Sequence, residues 1–367
     1  MTITIPVLHL PVMFPYNPLK YGEPAMSQIN FNEALLDTHL VVDVRTPLEY
    51  EEDHIPGALN IPLLDNEQRV EIGTLHKQNG PHAARKRGLE LTAQHFPGIV
   101  REIDAAAAGR PILVYCWRGG LRSKTVTSIL ELTGYKALQL QGGYKSYRNH
   151  IVSFFEPYEP PGQLVIMHGL TGVGKTDFIL GLKREIFYVV DLEGLACHRG
   201  SAFGELGLTQ TLSQKRFESL LWDDLRKAPK GKPVILEGES KRIGRISLPG
   251  NFYEVMGTGL KIWCEASLET RVKRLILEYG KPEYSEGMAA ALFRIKKKLG
   301  GAKYCEISEY LEKWQMEPFM AELLLSYYDK VYYKSRPWQE DATISLEDFN
   351  LAGIQLEEFI KGSCLDF

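Results

Sequence analysis

A cysteine followed by a turn rich in glycine and arginine is the first group of residues that could perform chemistry. Cys116 comes directly after the apolar run PILVY and before WRGGLRS, and a helical pattern follows. In such a strand–loop–helix turn, backbone N–H groups and the helix N-terminus place positive charge around one point. We therefore predict that Cys116 is a nucleophile, with Arg118 and Arg122 stabilising its thiolate and the anionic group that it transfers. A buried, inert cysteine is the alternative.

A phosphate-binding loop is the second such group. The segment GLTGVGKT fits G-x-x-x-x-G-K-[ST], with the apolar run LVIM before it and a helical pattern after it. Glycines here let backbone N–H groups surround a phosphate, the lysine reaches the outer phosphates, and the hydroxyl can bind Mg²⁺. No metal site is certain from the sequence, and Thr176 is where Mg²⁺ would bind. The predicted phosphate-binding residues are Gly169, Thr171, Gly172, Gly174, Lys175 and Thr176.

Acidic residues after two further apolar runs could complete this phosphate site. One pair follows YVV and the other lies in VILEGES, although neither run ends in a single Walker B aspartate. Capping of helices is the alternative role for these carboxylates. The segment DLEGLACHRGSAFG mixes charges with three glycines, which is typical of an ordered binding loop. The predicted second group of site residues is Asp191, Glu193, His198, Arg199, Glu237 and Glu239.

The elements that must position these residues form two α/β units. Short apolar runs predict strands at 39–44 and 111–115, and then at 164–167, 187–190, 234–236 and 260–264. Helical stretches lie between them, so parallel sheets with helices on both faces are expected. The proline-rich FFEPYEPPGQ indicates a linker. The predicted organisation is a lead-in at 1–27, a first domain at 28–150, a linker at 151–162, a second domain at 163–335 and a tail at 336–367.

Composition restricts the partners and the compartment. The chain has 367 residues and 43 Lys and Arg against 46 Asp and Glu, a net charge of −3. A nucleic acid would therefore have to be bound by local basic patches. Five scattered cysteines without a CxxC pair indicate a reducing compartment, and no apolar run is long enough for a membrane span. We expect a cytoplasmic protein without membrane contact. A monomer is favoured, although the sequence does not define the oligomeric state.

The first unit resembles the rhodanese family. LVVDVRTPLEYEEDHIPGALNIPL, at 40–63, is similar to the rhodanese N-terminal signature. YCWRGGLRS resembles the rhodanese active loop, and LQGGYKSYR resembles the segment that closes the domain. Five residues separate Cys116 from Arg122, where ordinary rhodaneses have four. That wider loop is also the spacing of the cell-division-cycle type of dual-specificity phosphatases, and it could accept a larger atom or a phosphate-like group.

A rhodanese unit followed by a P-loop unit, with DLEGLACHRGSAFG and VILEGESKRIG, closely resembles the tRNA 2-selenouridine synthase family over roughly 41–333. The resemblance implies an enzyme that converts 2-thiouridine at the wobble position of the tRNA anticodon loop to 2-selenouridine. Geranyl diphosphate would first alkylate the sulfur to give S-geranyl-2-thiouridine, and selenium from selenophosphate would then displace the geranylthiol group. The P-loop would hold the diphosphate. Cys116 would carry selenium as a selenylsulfide, and Arg122 with the loop amides would stabilise the anions formed.

Other functions remain open from the residues. A P-loop kinase, or an ATP-dependent tRNA sulfur transferase with a rhodanese module, would bind a nucleotide instead, and KIWCEASLETRVKRL resembles nucleotide kinases. A phosphatase would use the wide loop, although 117–120 contains no hydroxyl to assist it. A non-enzymatic tRNA-binding module would leave Cys116 structural. The basic clusters HAARKRG, KRIGR and RIKKKLGGAK either form an RNA-contacting surface together or are solvated helix faces.

Overall fold

The N-terminal unit is built on a five-stranded parallel sheet of order β1-β5-β4-β2-β3. The computed structural model describes residues 28–200, 203–204, 206–207, 212–334, 336 and 338–363, so the predicted lead-in at 1–27 lies outside the described residues. The elements of this unit are β1 Gln28–Ile29, α1 Ala34–Thr38, β2 Leu40–Asp43, α2 Pro47–Glu52, β3 Leu59–Asn60, α3 Asn66–Thr92, α4 Phe96–Ala107, β4 Ile112–Tyr115, α5 Leu121–Leu132, β5 Ala137–Leu140 and α6 Gly143–Phe155.

Alternation along the strands gives this sheet two apolar faces. Leu40 and Val114 pack with α4 and α5, whereas Val41 and Leu113 belong to the core on the side of α6. Local signals in the sequence explain where the helices begin. Thr46 forms a capping box at the start of α2, where Pro47 also favours the first helical turn.

The C-terminal unit is a second five-stranded parallel sheet, of order β12-β11-β6-β8-β7. A small antiparallel hairpin, β9–β10, follows β8. The elements are β6 Leu164–Gly169, α7 Lys175–Leu180, β7 Tyr188–Val190, α8 Leu192–Leu195, α9 Gln214–Leu225, β8 Val234–Glu237, β9 Arg242–Ile243, β10 Ile246–Ser247, α10 Gly250–Met256, β11 Leu260–Glu265, α11 Leu268–Tyr279, α12 Ser285–Leu299, α13 Gly301–Glu312, α14 Met316–Leu323, α15 Asp329–Lys334, β12 Ala342–Ser345 and α16 Phe349–Ser363.

The prediction of two parallel α/β units is confirmed. No helix among the described residues is both long enough and apolar enough to span a bilayer.

Two predicted boundaries differ from the structure. The predicted tail at 336–367 contains β12, which pairs with β11, and α16, whose Leu356 and Ile360 enter the core of the second sheet. The predicted linker at 151–162 begins inside α6, and its Phe155 and Tyr158 are buried. The prolines of FFEPYEPPGQ correctly indicated that regular structure ends after Phe155, but they gave no information about the burial of the side chains in this segment.

The two domains share one hydrophobic core. Trp222 of α9 packs edge-on against Tyr147 of α6, with ring centroids 5.5 Å apart. Phe252 of α10 packs in the same way against Phe155 and Tyr158, at 6.0 and 5.0 Å. A continuous cluster of buried residues therefore runs from the first sheet, through α6, α9 and α10, to one face of the second sheet.

A buried carboxylate fixes this interface. Asp53, at the end of α2, is fully buried and accepts hydrogen bonds from the hydroxyls of Tyr144 at 2.7 Å and Ser219 at 2.8 Å. Arg148 and Arg216 lie 3.9 and 3.8 Å from its oxygens. Ser219 and Arg216 come from α9, so the charge of Asp53 joins the two domains.

We expect Asp53→Asn to destabilise the protein by about 3 kcal/mol, since loss of one buried charge leaves its partners uncompensated. The free energy of unfolding, measured by urea titration, tests this. Glu52→Gln is the matched control. It breaks the exposed pair with Lys215 at the same interface, and such a pair is worth less than about 1 kcal/mol. Equal effects of the two substitutions would contradict the role given to Asp53.

Candidate functional site

Cys116 lies at the carboxyl end of β4 with its sulfur directed at the start of α5. The side chain is 3% exposed. Its Sγ accepts a hydrogen bond from the N–H of Gly120 at 3.2 Å and lies 3.1 Å from the hydroxyl of Ser123. Gly120 is the N-cap residue of α5, so the sulfur lies where the helix places its partial positive charge.

Ser123 corrects one argument from the sequence. Residues 117–120 contain no hydroxyl, but the hydroxyl of Ser123, one helical turn further on, reaches the sulfur. Gln139 of β5 fixes this hydroxyl with a hydrogen bond of 2.8 Å, and it also donates to the carbonyl of Gly119 at 2.9 Å. Neither residue was predicted as part of the site, because the sequence does not show that side chains of α5 and β5 meet beside Cys116.

The two predicted arginines lie in different settings. Arg122 donates two hydrogen bonds to Glu49, at 2.5 and 3.1 Å, so its charge is balanced by α2. Arg118 is exposed on the loop. Among the described residues, the hydrogen-bond partners of Cys116 Sγ are Gly120 and Ser123, and neither arginine donates a hydrogen bond to the sulfur.

The segment LQGGYKSYR, which closes the first domain, forms backbone hydrogen bonds with the cysteine loop. The N–H of Tyr144 donates to the carbonyl of Cys116 at 2.8 Å, and the N–H of Lys145 donates to Trp117 at 3.0 Å. Gly143 has a φ of 57°, and a Cβ there would lie 2.2 Å from the Cys116 carbonyl oxygen. Only glycine fits this position, which explains the Gly-Gly pair in LQGGYKSYR.

The predicted phosphate loop lies between β6 and α7, and its glycines adopt the conformation that a phosphate cradle needs. Gly172 and Gly174 have φ values of 82° and 84°. The ammonium of Lys175 donates to the carbonyl of Gly169 at 3.0 Å, across the loop. Thr176, the second residue of α7, donates from its hydroxyl to the carboxylate of Glu193 at 3.2 Å.

Two arginines of α11 support this loop from outside. Arg271 is buried, pairs with Asp329 and donates to the carbonyl of Thr171 at 2.9 Å. Arg274 donates to the carbonyl of Val173 at 2.6 Å. These side chains therefore hold the loop backbone, a role that the sequence analysis did not assign to them.

The acidic residues that the sequence singled out do meet beside Thr176. Glu237 ends β8 next to β6 and is fully buried, and its Oε2 accepts the N–H groups of Leu192 and Glu193 at 2.9 and 3.2 Å. Asp191 caps α8 through the N–H of Gly194 at 2.7 Å, so the capping alternative also holds for this residue. A Cβ on Gly200 would touch both Glu193 and Glu239, at 2.5 and 2.9 Å.

This crowding raises the pKa of two of the carboxyl groups. Burial, and then the negative charges of Glu239 and Glu237, raises the pKa of Glu193 to about 9. Burial, and then the charge of Asp191, raises the pKa of Glu237 to about 7. Within the described part of the chain, Glu237 Oε1 receives no hydrogen bond. A cation in this position would relieve both effects.

The residues present fit Mg²⁺ only together with a phosphate ligand. No group of three or more His, Cys, Asp or Glu side chains in the described ranges could hold a metal ion. Mg²⁺ is commonly bound by one or two protein oxygens and completes its shell with substrate phosphates and water. Thr176 and Glu193 offer such oxygens next to the phosphate loop.

A cavity of about 1210 Å³ opens over the phosphate loop. Its lining combines the phosphate loop, Glu193 and Glu239 with apolar and aromatic side chains, and among the described residues none of the lining comes from the first domain. The apolar and aromatic lining is Tyr253, Leu275, Leu277, Tyr327, Tyr328, Val331, Tyr332 and Trp338.

His198 and Arg199 both line this cavity but differ in their contacts. Arg199 pairs with Glu278 at 2.7 Å and donates to the carbonyl of Leu206 at 2.8 Å, so its charge is already balanced. The ring of His198 lies against Gly244 of the β9–β10 hairpin, where a Cβ would be 2.5 Å from Cδ2. Residues 191–200 of the predicted binding loop thus contribute to one wall of the cavity.

His168, which the sequence analysis did not single out, stacks on Trp338 beside the loop, with ring centroids 4.0 Å apart. Burial, followed by the positive charges of Lys175, Lys261 and Arg336, lowers its pKa to about 3. The unfolded chain, with an ordinary histidine pKa, therefore binds more protons below pH ~6.5, and stability falls as the pH falls through this value.

At pH 5 we expect His168 to cost about 2 kcal/mol of stability relative to pH 7. His168→Gln should remove this loss, and urea unfolding of both proteins at the two pH values measures it. An equal decline in the glutamine variant would show that other groups cause the pH dependence.

A cysteine loop at the end of a parallel strand, joined through a shared core to a P-loop domain, defines a two-domain protein of the rhodanese and P-loop class. The model described as "Rhodanese-like domain" matches residues 29–150, and the one described as "tRNA 2-selenouridine synthase AAA domain" matches residues 162–350. The chain belongs to the tRNA 2-selenouridine synthase family, as the resemblance predicted.

Relatives of that name match along most of the chain. The protein of Cupriavidus pinatubonensis is 33% identical and that of Bdellovibrio bacteriovorus 34% identical, covering 83% and 80% of this chain and 90% and 88% of the relatives. The protein of Pseudomonas entomophila is 31% identical over 90% of this chain and 95% of its own length. A crystallised N-terminal domain from Clostridium difficile 630 is 39% identical, with a TM-score of 0.33, covering 34% of this chain and 98% of that domain.

Proposed function

We propose that this protein converts 2-thiouridine at the wobble position of tRNA to 2-selenouridine in two steps. The sulfur first attacks geranyl diphosphate, so that a carbon–sulfur bond forms and diphosphate leaves. Selenium from selenophosphate then attacks the uridine carbon and the geranylthiol group leaves. Alkylation makes the second step feasible because it turns the sulfur into a leaving group.

The observation that carries this proposal is the mixed lining of the cavity. A prenyl diphosphate has an anionic head and an apolar chain. The cavity offers Lys175 and the loop amides for the head, and apolar and aromatic side chains such as Tyr327, Tyr328 and Val331 for the chain. A nucleotide would use Lys175 and the loop equally well, but its sugar and base are more polar than these side chains.

Lys175 and Thr176 are the groups proposed to hold the diphosphate. If Mg²⁺ takes part, Thr176 and Glu193 would bind it together with the phosphate oxygens, and it would offset the charge of the leaving diphosphate. Both raised carboxyl pKa values are in accord with this, since binding of a cation would favour the ionised forms.

Cys116 is the group proposed to release this selenium for the second step: its thiolate would attack the phosphorus of selenophosphate, the phosphorus–selenium bond would break to give hydrogen selenide, and water would then hydrolyse the S-phosphocysteine. A selenylsulfide on Cys116 would instead need an oxidant, because selenophosphate supplies selenium at the oxidation level of selenide. The N–H of Gly120 and the hydroxyl of Ser123 lie within hydrogen-bond distance of the Cys116 sulfur and would stabilise an anion there. Arg122, balanced by Glu49, and the exposed Arg118 would lie at the entrance used by selenophosphate. The second domain also reaches this loop, because the ammonium of Lys215 of α9 lies 6.0 Å from the ring centre of Trp117.

The test uses the purified protein with tRNA that contains 2-thiouridine, geranyl diphosphate and selenophosphate. The nucleosides are then released and weighed by mass spectrometry. The mass of 2-selenouridine is expected, and omission of selenophosphate should leave S-geranyl-2-thiouridine. Unchanged 2-thiouridine in every reaction would refute the proposal.

Nucleotide-dependent chemistry is the second candidate, favoured by the position of Thr176 beside Glu193 and Glu237. An arm with ATP and Mg²⁺ in place of geranyl diphosphate distinguishes it. Release of phosphate that depends on tRNA would support a kinase or an ATP-dependent sulfur transferase.

A further inference from the structure

Two of the basic clusters border the cavity from different walls. The first, the hairpin rim, consists of Lys241, Arg242 and Arg245, all exposed on or beside β9–β10. Ser240, directly before it, lines the cavity, and Gly244 within it lies against the ring of His198. The hairpin rim is therefore an extension of the wall that carries the binding loop.

The second, the helix rim, consists of Lys296, Lys297 and Lys298 in the last turn of α12, all exposed. The ammonium of Lys298 lies 5.8 Å from the ring centre of Tyr327, which lines the cavity. The ammonium of Lys296 lies 4.8 Å from the ring of Tyr304, and Phe293 nearby is 64% exposed. This rim thus combines positive charge with exposed aromatic surface.

The charges of both rims are not balanced by neighbours. Within the described residues, none of the six side chains forms an ion pair, whereas Arg87 of the HAARKRG cluster pairs with Glu71 and Glu90, and Lys303 pairs with Glu306 and Glu322. Three lysines at a helix C-terminus also interact favourably with the helix dipole, but that effect does not explain the hairpin rim.

A polyanion fits these two rims better than a protein partner does. The whole chain carries a charge of −3, so a nucleic acid can be attracted only by local positive surface. Lysine and arginine contacts to phosphate fix the position of a strand, while an unstacked base enters a pocket between them. The cavity between the rims is large enough for such a base beside a diphosphate.

We propose that the hairpin rim and the helix rim bind the phosphates of a single RNA strand whose unstacked nucleotide enters the cavity. This inference rests on the proposed function, and it assigns RNA binding to the P-loop domain. The HAARKRG cluster on α3 is excluded from this surface, because its domain contributes nothing to the described cavity lining.

The test measures binding of a transcribed tRNA with a wobble uridine over a series of salt concentrations. Two triple variants, K241Q/R242Q/R245Q and K296Q/K297Q/K298Q, each remove one rim. Each lost phosphate contact should lower the slope of log affinity against log salt by roughly 0.7–0.9, so a decrease of about 2 is expected for each variant. The affinity at moderate salt should fall at least ~10-fold.

R85Q/K86Q/R87Q is the matched control, since it removes the same number of cations from an exposed helix. It should bind tRNA as the unmodified protein does. Binding of geranyl diphosphate should be unchanged in all three variants. The single changes K297Q and R242Q, each with a slope decrease of about 0.8, test the same point with less disturbance.

Unchanged slopes in both rim variants would overturn the inference, as would a control variant that weakens binding equally. Loss of geranyl diphosphate binding together with tRNA binding would also count against it. If the unmodified protein binds tRNA with the expected salt dependence but makes no 2-selenouridine, the proposed function fails while the RNA surface stands.

Discussion

Replacing Cys116 by alanine is expected to reduce selenium incorporation about 1,000-fold or more, as removal of other covalent nucleophiles does. S-geranyl-2-thiouridine should accumulate in its place. The reason is positional, because the sulfur is the group at which the N–H of Gly120 and the hydroxyl of Ser123 converge. Mass spectrometry of tRNA nucleosides after a fixed reaction time measures both products.

Cys305 supplies the control for this prediction. It is an exposed cysteine on α13, so Cys305→Ala removes a thiol without touching the loop and should leave incorporation unchanged. Ser123→Ala should give an intermediate loss, since the sulfur keeps one of its two hydrogen-bonding neighbours. Full activity of Cys116→Ala would mean that selenium reaches the uridine without this cysteine.

Replacing Lys175 by alanine is expected to slow geranyl transfer about 100- to 1,000-fold in kcat/KM, the usual cost of losing one charge-stabilising donor. Its ammonium donates to the carbonyl of Gly169 across the loop, and the P-loop pattern assigns this lysine to the outer phosphates. Conversion of tRNA that already carries S-geranyl-2-thiouridine should proceed normally, because that step needs no diphosphate. The separate rates of the two steps are the measurement.

Lys183→Ala is the matched control, because Lys183 is an exposed lysine of the same domain, 3.7 Å from Glu357. It should leave both steps unchanged. If Lys175→Ala kept normal geranyl transfer and lost only a step that depends on ATP, the P-loop would hold a nucleotide and the second candidate function would be favoured.

Motifs that depend only on residues close together in the chain could be predicted from the sequence. The strand before Cys116, the glycines of the phosphate loop and the strand before them all follow from neighbouring residues, and the structure has them in those places. The end of the second domain could not be predicted in this way. The strand ATIS is short, and only its Ile344 is buried, so its pattern is too weak to distinguish an edge strand from a tail.

Side-chain partners that are distant in the chain were the part of the site that the sequence could not provide. Arg122 was expected to stabilise the thiolate of Cys116, but its guanidinium pairs with Glu49 in another helix. Arg271 and Arg274 have the pattern of an exposed helix face, yet they donate to phosphate-loop carbonyls that lie 100 and 101 positions earlier in the chain. Such contacts depend on how elements pack, which no local pattern encodes.

The shared core between the domains has a consequence for how such a protein can be inherited and engineered. Although separate family models match its two halves, cutting the chain between them would leave Tyr147 and Phe155 on one fragment, and Trp222 and Phe252 on the other, without their partners. Each fragment would expose the aromatic surface that the other one covers in the intact chain. Recombination that exchanges one half for the corresponding half of a distant homologue would also disturb these aromatic contacts. The two halves are therefore expected to evolve together as one inherited unit.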